Sequence, residues 1–159
     1  MTILHFAYGS NLWFEQMNQR CPELKKVGKG VLKNYKWIIA QRITKRPAAN
    51  IVWSEGDFVE GYIYELTKKD EKRLDVSEGR LYEKVFLNID FNLDFKSCMV
   101  YVDKNNVEVV RSLEKVNTNK YECSVGCMCT YASRINMGIL DSKLSEEYVE
   151  RYIRKFIEK

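Results

Sequence analysis

A glutamate followed by a glycine, Glu78-Gly79, is the strongest candidate for proton-transfer chemistry in this 159-residue chain. It closes the stretch Leu74-Asp75-Val76-Ser77-Glu78-Gly79, which reads as a helix end turning into a strand. Glycine at that corner permits backbone conformations that other residues resist and lets a ligand come close. A carboxyl group set there against apolar surroundings has its pKa raised toward the range useful for proton exchange at neutral pH. Alone, a glutamate in a turn is more often a surface residue than a catalyst. A second stretch, Phe6-Ala7-Tyr8-Gly9-Ser10-Asn11-Leu12, gives it weight. There a short strand breaks into a glycine and small polar residues before an apolar helix start. Such a loop can turn backbone N–H groups toward an anion or a carbonyl oxygen. The chain has 10 tyrosines, most of them expected in the core or at its rim. Tyr8, Tyr82 and Tyr131 are the candidates for a wall closing the cleft.

Other chemistries fit the residues less well. The 5 cysteines are Cys21, Cys98, Cys123, Cys127 and Cys129. Cys123-x3-Cys127-x-Cys129 lacks the paired Cys-x2-Cys knuckles of a zinc site, so no metal is expected there. Reduced thiols are the expectation, ahead of a regulatory disulfide. His5, the only histidine, falls in the first strand, which suits a core or edge role better than a cysteine–histidine hydrolase. No Gly-x-Ser-x-Gly elbow is present, and Gly28-Lys29-Gly30 lacks the spacing of a phosphate loop. No cofactor is expected.

Composition frames these candidates. At 45% hydrophobic and 13% aromatic residues the chain can build a real core, and its length suits one domain over residues 1–159. The net charge of +4 is spread along the chain, with short clusters at Lys25-Lys26, Lys68-Lys69 and Lys72-Arg73. That reads as a solvated surface which helps draw anionic substrates, not as a nucleic-acid interface. No run of about 18 apolar residues suggests a membrane span. No basic stretch followed by an apolar one suggests a signal peptide. A cytoplasmic protein is expected, acting on a small molecule without nucleic-acid or membrane partners, as a monomer or homodimer.

The elements that must position the site follow from periodicity and punctuation. A strand over Ile3–Tyr8 leads into the loop, and a short helix near Trp13–Arg20 stops before Pro22. Val27–Ile43 is rich in β-branched and aromatic residues, with Asn34 as a turn. Asn50–Trp53 and Phe58–Leu66 read as two strands joined by a Ser54-Glu55-Gly56-Asp57 turn. Both faces of the second carry apolar residues, so it should be buried on each. Thr67 caps a helix running to about Val76, with Asp70 placed to return a bond. Strands follow from Leu81-Tyr82 to Phe91 and over Ser97–Val102, then a polar loop over Asp103–Lys120. A helix over about Met128–Asn136 stops near Gly138. A last helix starts at Ser145 as N-cap. Its apolar stripe is Tyr148, Val149, Tyr152, Ile153, Phe156 and Ile157, and Glu147–Arg151 and Glu150–Arg154 form i, i+4 pairs. Runs of adjacent strands with helices around them give an α+β fold: a mainly antiparallel, twisted sheet or small barrel flanked by helices.

The two motifs together resemble the gamma-glutamylcyclotransferase-like family. That family opens with a strand and a Tyr-Gly-Ser-Asn-Leu loop, matched by Tyr8-Gly9-Ser10-Asn11-Leu12, and carries its essential acid in Leu-Asp-x-x-Glu-Gly, matched by Leu74–Gly79. Gly30–Tyr35 resembles its second strand and Gly61–Leu66 the strand feeding the acid's helix. Tyr82 and Tyr131 stand where family members place pocket tyrosines, while Cys127-Met128-Cys129-Thr130 departs from the proline-containing approach of many members. The resemblance implies cyclisation of a gamma-glutamyl amino acid or gamma-glutamylamine to 5-oxoproline with release of the free amine. Glu78 would then be acid and base, with Tyr8, Gly9, Ser10, Asn11, Leu12, Tyr82 and Tyr131 binding substrate and no metal or cofactor involved. A non-catalytic small-molecule-binding or stress-associated protein on the same fold is the alternative from another class.

Overall fold

In the computed structural model, which describes residues 1–42, 47–110 and 131–159, two long strands form the frame. These are β2 (Lys25–Ala40) and β3 (Ala48–Thr67), paired antiparallel from Lys25↔Glu65 to Ala40↔Ala48. The turns expected at Asn34 and at Ser54–Asp57 are not strand ends. The register instead steps from Lys33↔Phe58 to Tyr35↔Trp53. Asn34 takes φ 66 and Gly56 φ 83, and the Gly56 N–H donates to Asn34 Oδ1 at 3.1 Å. Turn-forming residues thus build an irregularity that bends one continuous pair of strands.

Strand β1 (Thr2–Ala7) lies antiparallel to β3, from Thr2↔Thr67 to Ala7↔Tyr62. Strands β4 (Glu83–Phe91) and β5 (Asp94–Val102) form a hairpin. Its two-residue turn is Asn92-Leu93, with φ 49 and 65. Positive φ at both central residues suits the right-handed twist of the flanking strands, and pairing therefore starts at Asp94, earlier than the expected Ser97. Pairing of β2 with β4 at Val31↔Asp90 and of β1 with β5 at His5↔Met99 closes a barrel in the order β1-β3-β2-β4-β5. Only the last contact is parallel. The α+β class and the mainly antiparallel small barrel are as expected.

Side chains reinforce that parallel seam. His5 Nδ1 lies 3.1 Å from Met99 O, and the Tyr8 hydroxyl donates to Tyr101 O at 2.6 Å. A carbonyl only accepts, so Nδ1 carries the imidazole proton and Nε2 is left a bare acceptor. Burial pushes the His5 pKa down from 6.5 to about 4, against the pull of the Met99 carbonyl. A histidine kept neutral in the fold costs stability once the unfolded chain can protonate it. Stability is therefore expected to fall as pH drops from 6.5 toward about 4, by up to about 3 kcal/mol from this residue. Comparing chemical-denaturation curves across that range for the wild type and His5→Gln checks it: the variant's curve should be flatter.

The core sits on both sides of the barrel wall. Inside are Phe6, Trp37, Ile39, Val59, Ile63 and Val100, closed off by Tyr148, Ile153 and Phe156 from the C-terminal segment. Outside, Met17, Cys21, Tyr64, Leu66, Leu74 and Met99 form a second cluster. It lies beneath α1 (Phe14–Arg20) and α2 (Lys68–Glu78). The residues of β3 that alternate between Ile63 and Tyr64 therefore meet apolar neighbours on each face. The thiols of Cys21 and Cys98 are buried and free, and burial pushes them up to about 12 and about 11.

Three helical expectations need correction. Thr67 caps α2, accepting from Asp70 N–H at 3.1 Å, but Asp70 does not return that bond. Its carboxylate accepts from Glu23 N–H and from Arg73 instead. Helix α3 (Tyr131–Asp141) runs through Gly138 and does not stop there. A Cβ on Gly138 would lie 2.6 Å from Leu12 Cβ and 2.9 Å from Trp13 N, so this glycine is a contact point with the loop, not a cap. The last helix is a single turn, α4 (Glu146–Tyr148), widening into a π-helix over Val149–Ile153. Ser145 caps it as expected, accepting from Tyr148 N–H, and the apolar stripe is buried. The paired charges go elsewhere: Arg151 to Asp57 at 3.2 Å and Arg154 to Asn136 at 2.7 Å.

The polar stretch after Asp103 is tied down where it is described, with Val110 N–H on Ile39 O and Asn50 Nδ2 on the carbonyls of Asp103 and Asn106. Ile43, residues 111–120 of the expected loop, Cys123, Cys127, Cys129 and residues 128–130 lie outside the described residues. Among those described, no helix is long and apolar enough to cross a membrane.

Candidate active site

The end of β1 and the end of α2 meet at one pocket. It is lined by Tyr8, Gly9, Ser10, Asn11, Glu78, Tyr82 and Tyr131, joined by His5, Phe6, Ala7, Ala49 and Tyr101. Seven of the eight expected site residues are thus brought together from positions 8 to 131. Leu12 is not: its side chain is fully buried in the barrel core. Its N–H is already bonded to Gly9 O at 3.1 Å.

Local sequence explains the placement. After Ala7 the chain cannot extend β1, because Ser10–Leu12 forms a 3-10 turn held by the Leu12 and Trp13 N–H groups. The N–H groups of Gly9, Ser10 and Asn11 come before the first such bond and have no partner in the hydrogen bonds of the described residues. Three unpartnered donors therefore belong to residues that line the pocket, while the Leu12 N–H is already taken. Gly9 fits because a Cβ there would lie 3.3 Å from Ala49 Cβ and 3.6 Å from the Tyr131 hydroxyl. Helix α2 ends on Glu78 because Gly79 takes φ 75 and returns its N–H to Asp75 O at 3.1 Å.

Glu78 is partly buried, and its Oε1 accepts from Asn11 Nδ2 at 2.9 Å. Desolvation raises its pKa above the ordinary carboxylate value of 4.5, while Arg20, the Asn11 bond and Arg42 pull the other way. Burial thus makes the carboxyl a better proton acceptor than a solvated glutamate, the direction of shift that acid–base work calls for.

The tyrosine hydroxyls divide by what they bond. Tyr8 donates to Tyr101 O, Tyr82 to Ala49 O at 3.1 Å and Tyr101 to Asp75 Oδ1 at 2.6 Å. Tyr131 instead accepts, from Ala49 N–H at 2.9 Å. Its own proton meets no acceptor among the described residues, and burial raises its pKa to about 12. Tyr131 is thus the hydroxyl in this group free to donate to a ligand. Tyr82 and Tyr131 together grip both polar groups of Ala49, which fixes the wall between them.

Several residues at the site escaped sequence reasoning. Gln16 and Arg20 both bond Asn11 Oδ1, at 3.1 and 2.9 Å. Arg134 of α3 donates to Gln16 Oε1 at 2.8 Å. The guanidinium of Arg42 lies 4.9 Å from the Tyr82 ring centre, with Nε 3.4 Å from Asp103 Oδ2. One signal was available for the first pair: Gln16 and Arg20 are four apart in a short helix, so they share a face.

The sequence model of a family described as gamma-glutamyl cyclotransferase, AIG2-like, matches residues 5–123. No curated protein sequence matches the chain. Among solved structures, one described as gamma-glutamyl cyclotransferase aligns over 99% of this chain and 89% of its own, with TM-score 0.76 and 23% identity. The uncharacterized protein loc79017 from Homo sapiens aligns over 99% of this chain and 88% of its own, with TM-score 0.75 and 24% identity. YkqA from Bacillus subtilis aligns over 98% of this chain and 54% of its own, with TM-score 0.64 and 19% identity. These structural likenesses show the fold.

Proposed function

We propose that this chain, which belongs to the gamma-glutamyl cyclotransferase, AIG2-like family, cyclises a gamma-glutamyl amino acid or gamma-glutamylamine to 5-oxoproline and releases the free amine. The observation that carries this reading is the Glu78 carboxyl, held by Asn11 at 2.9 Å in the pocket where the Gly9, Ser10 and Asn11 N–H groups stand without partners.

The reaction asks little beyond what these groups supply. The substrate's own α-amine attacks its γ-carbonyl, so the nucleophile is already tethered. Tethering lowers the barrier by about 7–11 kcal/mol relative to a bimolecular attack. Glu78 takes a proton from the attacking nitrogen. The carbon–nitrogen bond of the ring forms as the carbonyl electrons move onto oxygen. When the carbonyl reforms and the old amide bond breaks, Glu78 returns the proton to the leaving nitrogen. The loop N–H groups bind the developing oxyanion or the substrate carboxylate, and each oxyanion donor contributes about 3–4 kcal/mol. The free thiols of Cys21 and Cys98 support a cytosolic setting.

Incubation with a panel of gamma-glutamyl amino acids and gamma-glutamylamines, with detection of 5-oxoproline, tests the reading. Silence across the panel with ligand binding preserved sinks it. The hydroxyl pattern adds a ranking. Tyr131→Phe removes the one pocket tyrosine hydroxyl whose proton meets no acceptor among the described residues, and is expected to lower kcat/KM by about 100-fold. Tyr82→Phe removes a hydroxyl whose proton is already held by Ala49 O, and should cost under about tenfold. Equal losses in steady-state assays would contradict the ranking.

A further inference from the structure

Asn11 is held in one orientation by groups that leave it no choice. Arg20 Nη1 lies 2.9 Å from Asn11 Oδ1, and a guanidinium has no acceptor, so the atom facing it is the amide oxygen. Gln16 Nε2 donates to the same oxygen at 3.1 Å and to Ser10 Oγ at 2.9 Å. Gln16 is fixed in turn, because Arg134 Nη1 donates to its Oε1 at 2.8 Å. The Asn11 NH2 group must then point at Glu78 Oε1. The Tyr64 hydroxyl holds the same residue's backbone carbonyl at 2.8 Å. A chain of oriented donors thus runs from helices α1 and α3, through one amide, to the carboxyl at the end of α2.

We propose that Arg20 is a positioning residue for Glu78, locking the Asn11 amide so that its N–H group faces the carboxylate and favours the ionised form that accepts the substrate's proton. The effect has two parts. Two donors on Oδ1 polarise the amide and strengthen its donation to Glu78. The guanidinium also places a positive charge near a desolvated carboxylate, opposing the rise that burial imposes. The other groups facing Glu78 do not replace it. Arg42 is the second cation that lowers its pKa, but it approaches from beyond β2 and touches neither Asn11 nor Gln16. Tyr8, Tyr82, Tyr101 and Tyr131 are held protonated by burial, and Cys21, at the end of α1, is likewise a neutral thiol.

The inference rests on the reading of Glu78 as the base, and its test separates the two. Arg20→Gln removes the charge; Arg20→Lys keeps it. The Glu78 carboxyl is titrated by 13C NMR in substrate-free protein, its signal assigned by its loss in Glu78→Gln, and kcat/KM is measured against pH. Arg20→Gln is expected to raise the titration midpoint and move the acid limb of kcat/KM upward. The loss should be about tenfold on the acid side and recover at higher pH, with Arg20→Lys restoring most of it. In an Asn11→Ala background the same substitution should have a smaller effect, because only the direct charge of the guanidinium on Glu78 remains to be lost. A loss equal at every pH with an unmoved midpoint makes Arg20 merely structural and overturns the inference, as does full additivity with Asn11→Ala. A shifted midpoint in a protein that makes no 5-oxoproline would leave the positioning role standing and remove the cyclotransferase reading.

Discussion

Glu78→Gln is expected to abolish 5-oxoproline formation, lowering kcat by about 10³-fold or more, while the protein stays folded. Glutamine keeps the shape of the side chain and an oxygen for the Asn11 N–H group, so the contact at 2.9 Å survives. Only the proton acceptor is lost. The companion result concerns stability. Burial raises the pKa of Glu78 in the folded state above 4.5, so the fold binds this proton more tightly than the unfolded chain does. That favours folding below the unfolded value, and the benefit is lost as pH rises through the folded value. Above its folded value the wild-type carboxyl is a desolvated charge that the variant lacks. Glu78→Gln should melt at the same temperature or higher at neutral pH, and the difference should vanish below the ordinary carboxyl range. Thermal melts at two pH values and a single-turnover assay decide both points. A variant that turns over near the wild-type rate removes Glu78 from the chemistry.

Gly138→Ala is expected to destabilise the protein by about 1–3 kcal/mol and to lower activity with it. The sign is the informative part. In an ordinary helix interior, glycine to alanine stabilises by about 1 kcal/mol. Here the new methyl would lie 2.6 Å from Leu12 Cβ and 2.9 Å from Leu12 C and Trp13 N, and backbone cannot swing aside as a side-chain tip can. Helix α3 would have to move off the 3-10 turn, where Ser142 Oγ also holds Leu12 O at 2.9 Å and Asp141 Oδ2 holds Phe14 N–H. Tyr131 rides on the same helix, so the pocket wall shifts as well. Urea unfolding alongside kcat/KM measures both effects. A more stable Gly138→Ala would show that helix and loop are not in the contact described.

What the sequence made legible was local in origin. The loop motif and the Leu74–Gly79 motif each carry their geometry in a few consecutive residues, a strand end in one and a glycine-stopped helix in the other. Placing them at one pocket followed from their resemblance to a family. The two-faced burial of Phe58–Leu66 was also visible, because apolar residues fill both parities of the strand. The misreadings share one physical cause: residue types with two uses. Asn34 and Gly56 favour positive φ, which serves a turn or a bulge equally, and only the partner strand decides. Gly138 suits a helix end or a close helix contact, and Leu12 lies 126 positions away in the chain. Leu12 itself belonged to the motif yet faces the core, because the 3-10 turn rotates it inward. Spacing puts Gln16 and Arg20 on one face of α1, but their meeting with Arg134 and Asn11 arises only when α1, α3 and the 3-10 turn dock, which no spacing rule reveals.

The joint between β1 and β5 bears on how the molecule comes into being. One parallel pair, His5↔Met99, closes the barrel, and the two side-chain bonds across it join residues 94 and 93 positions apart. Loop closure over such spans is entropically unfavourable until many other contacts are in place. The pocket that includes His5, Tyr8 and Tyr101 is therefore expected to form late, with the closure of the barrel. Any ligand of this pocket is thus expected to bind only chains whose barrel has closed.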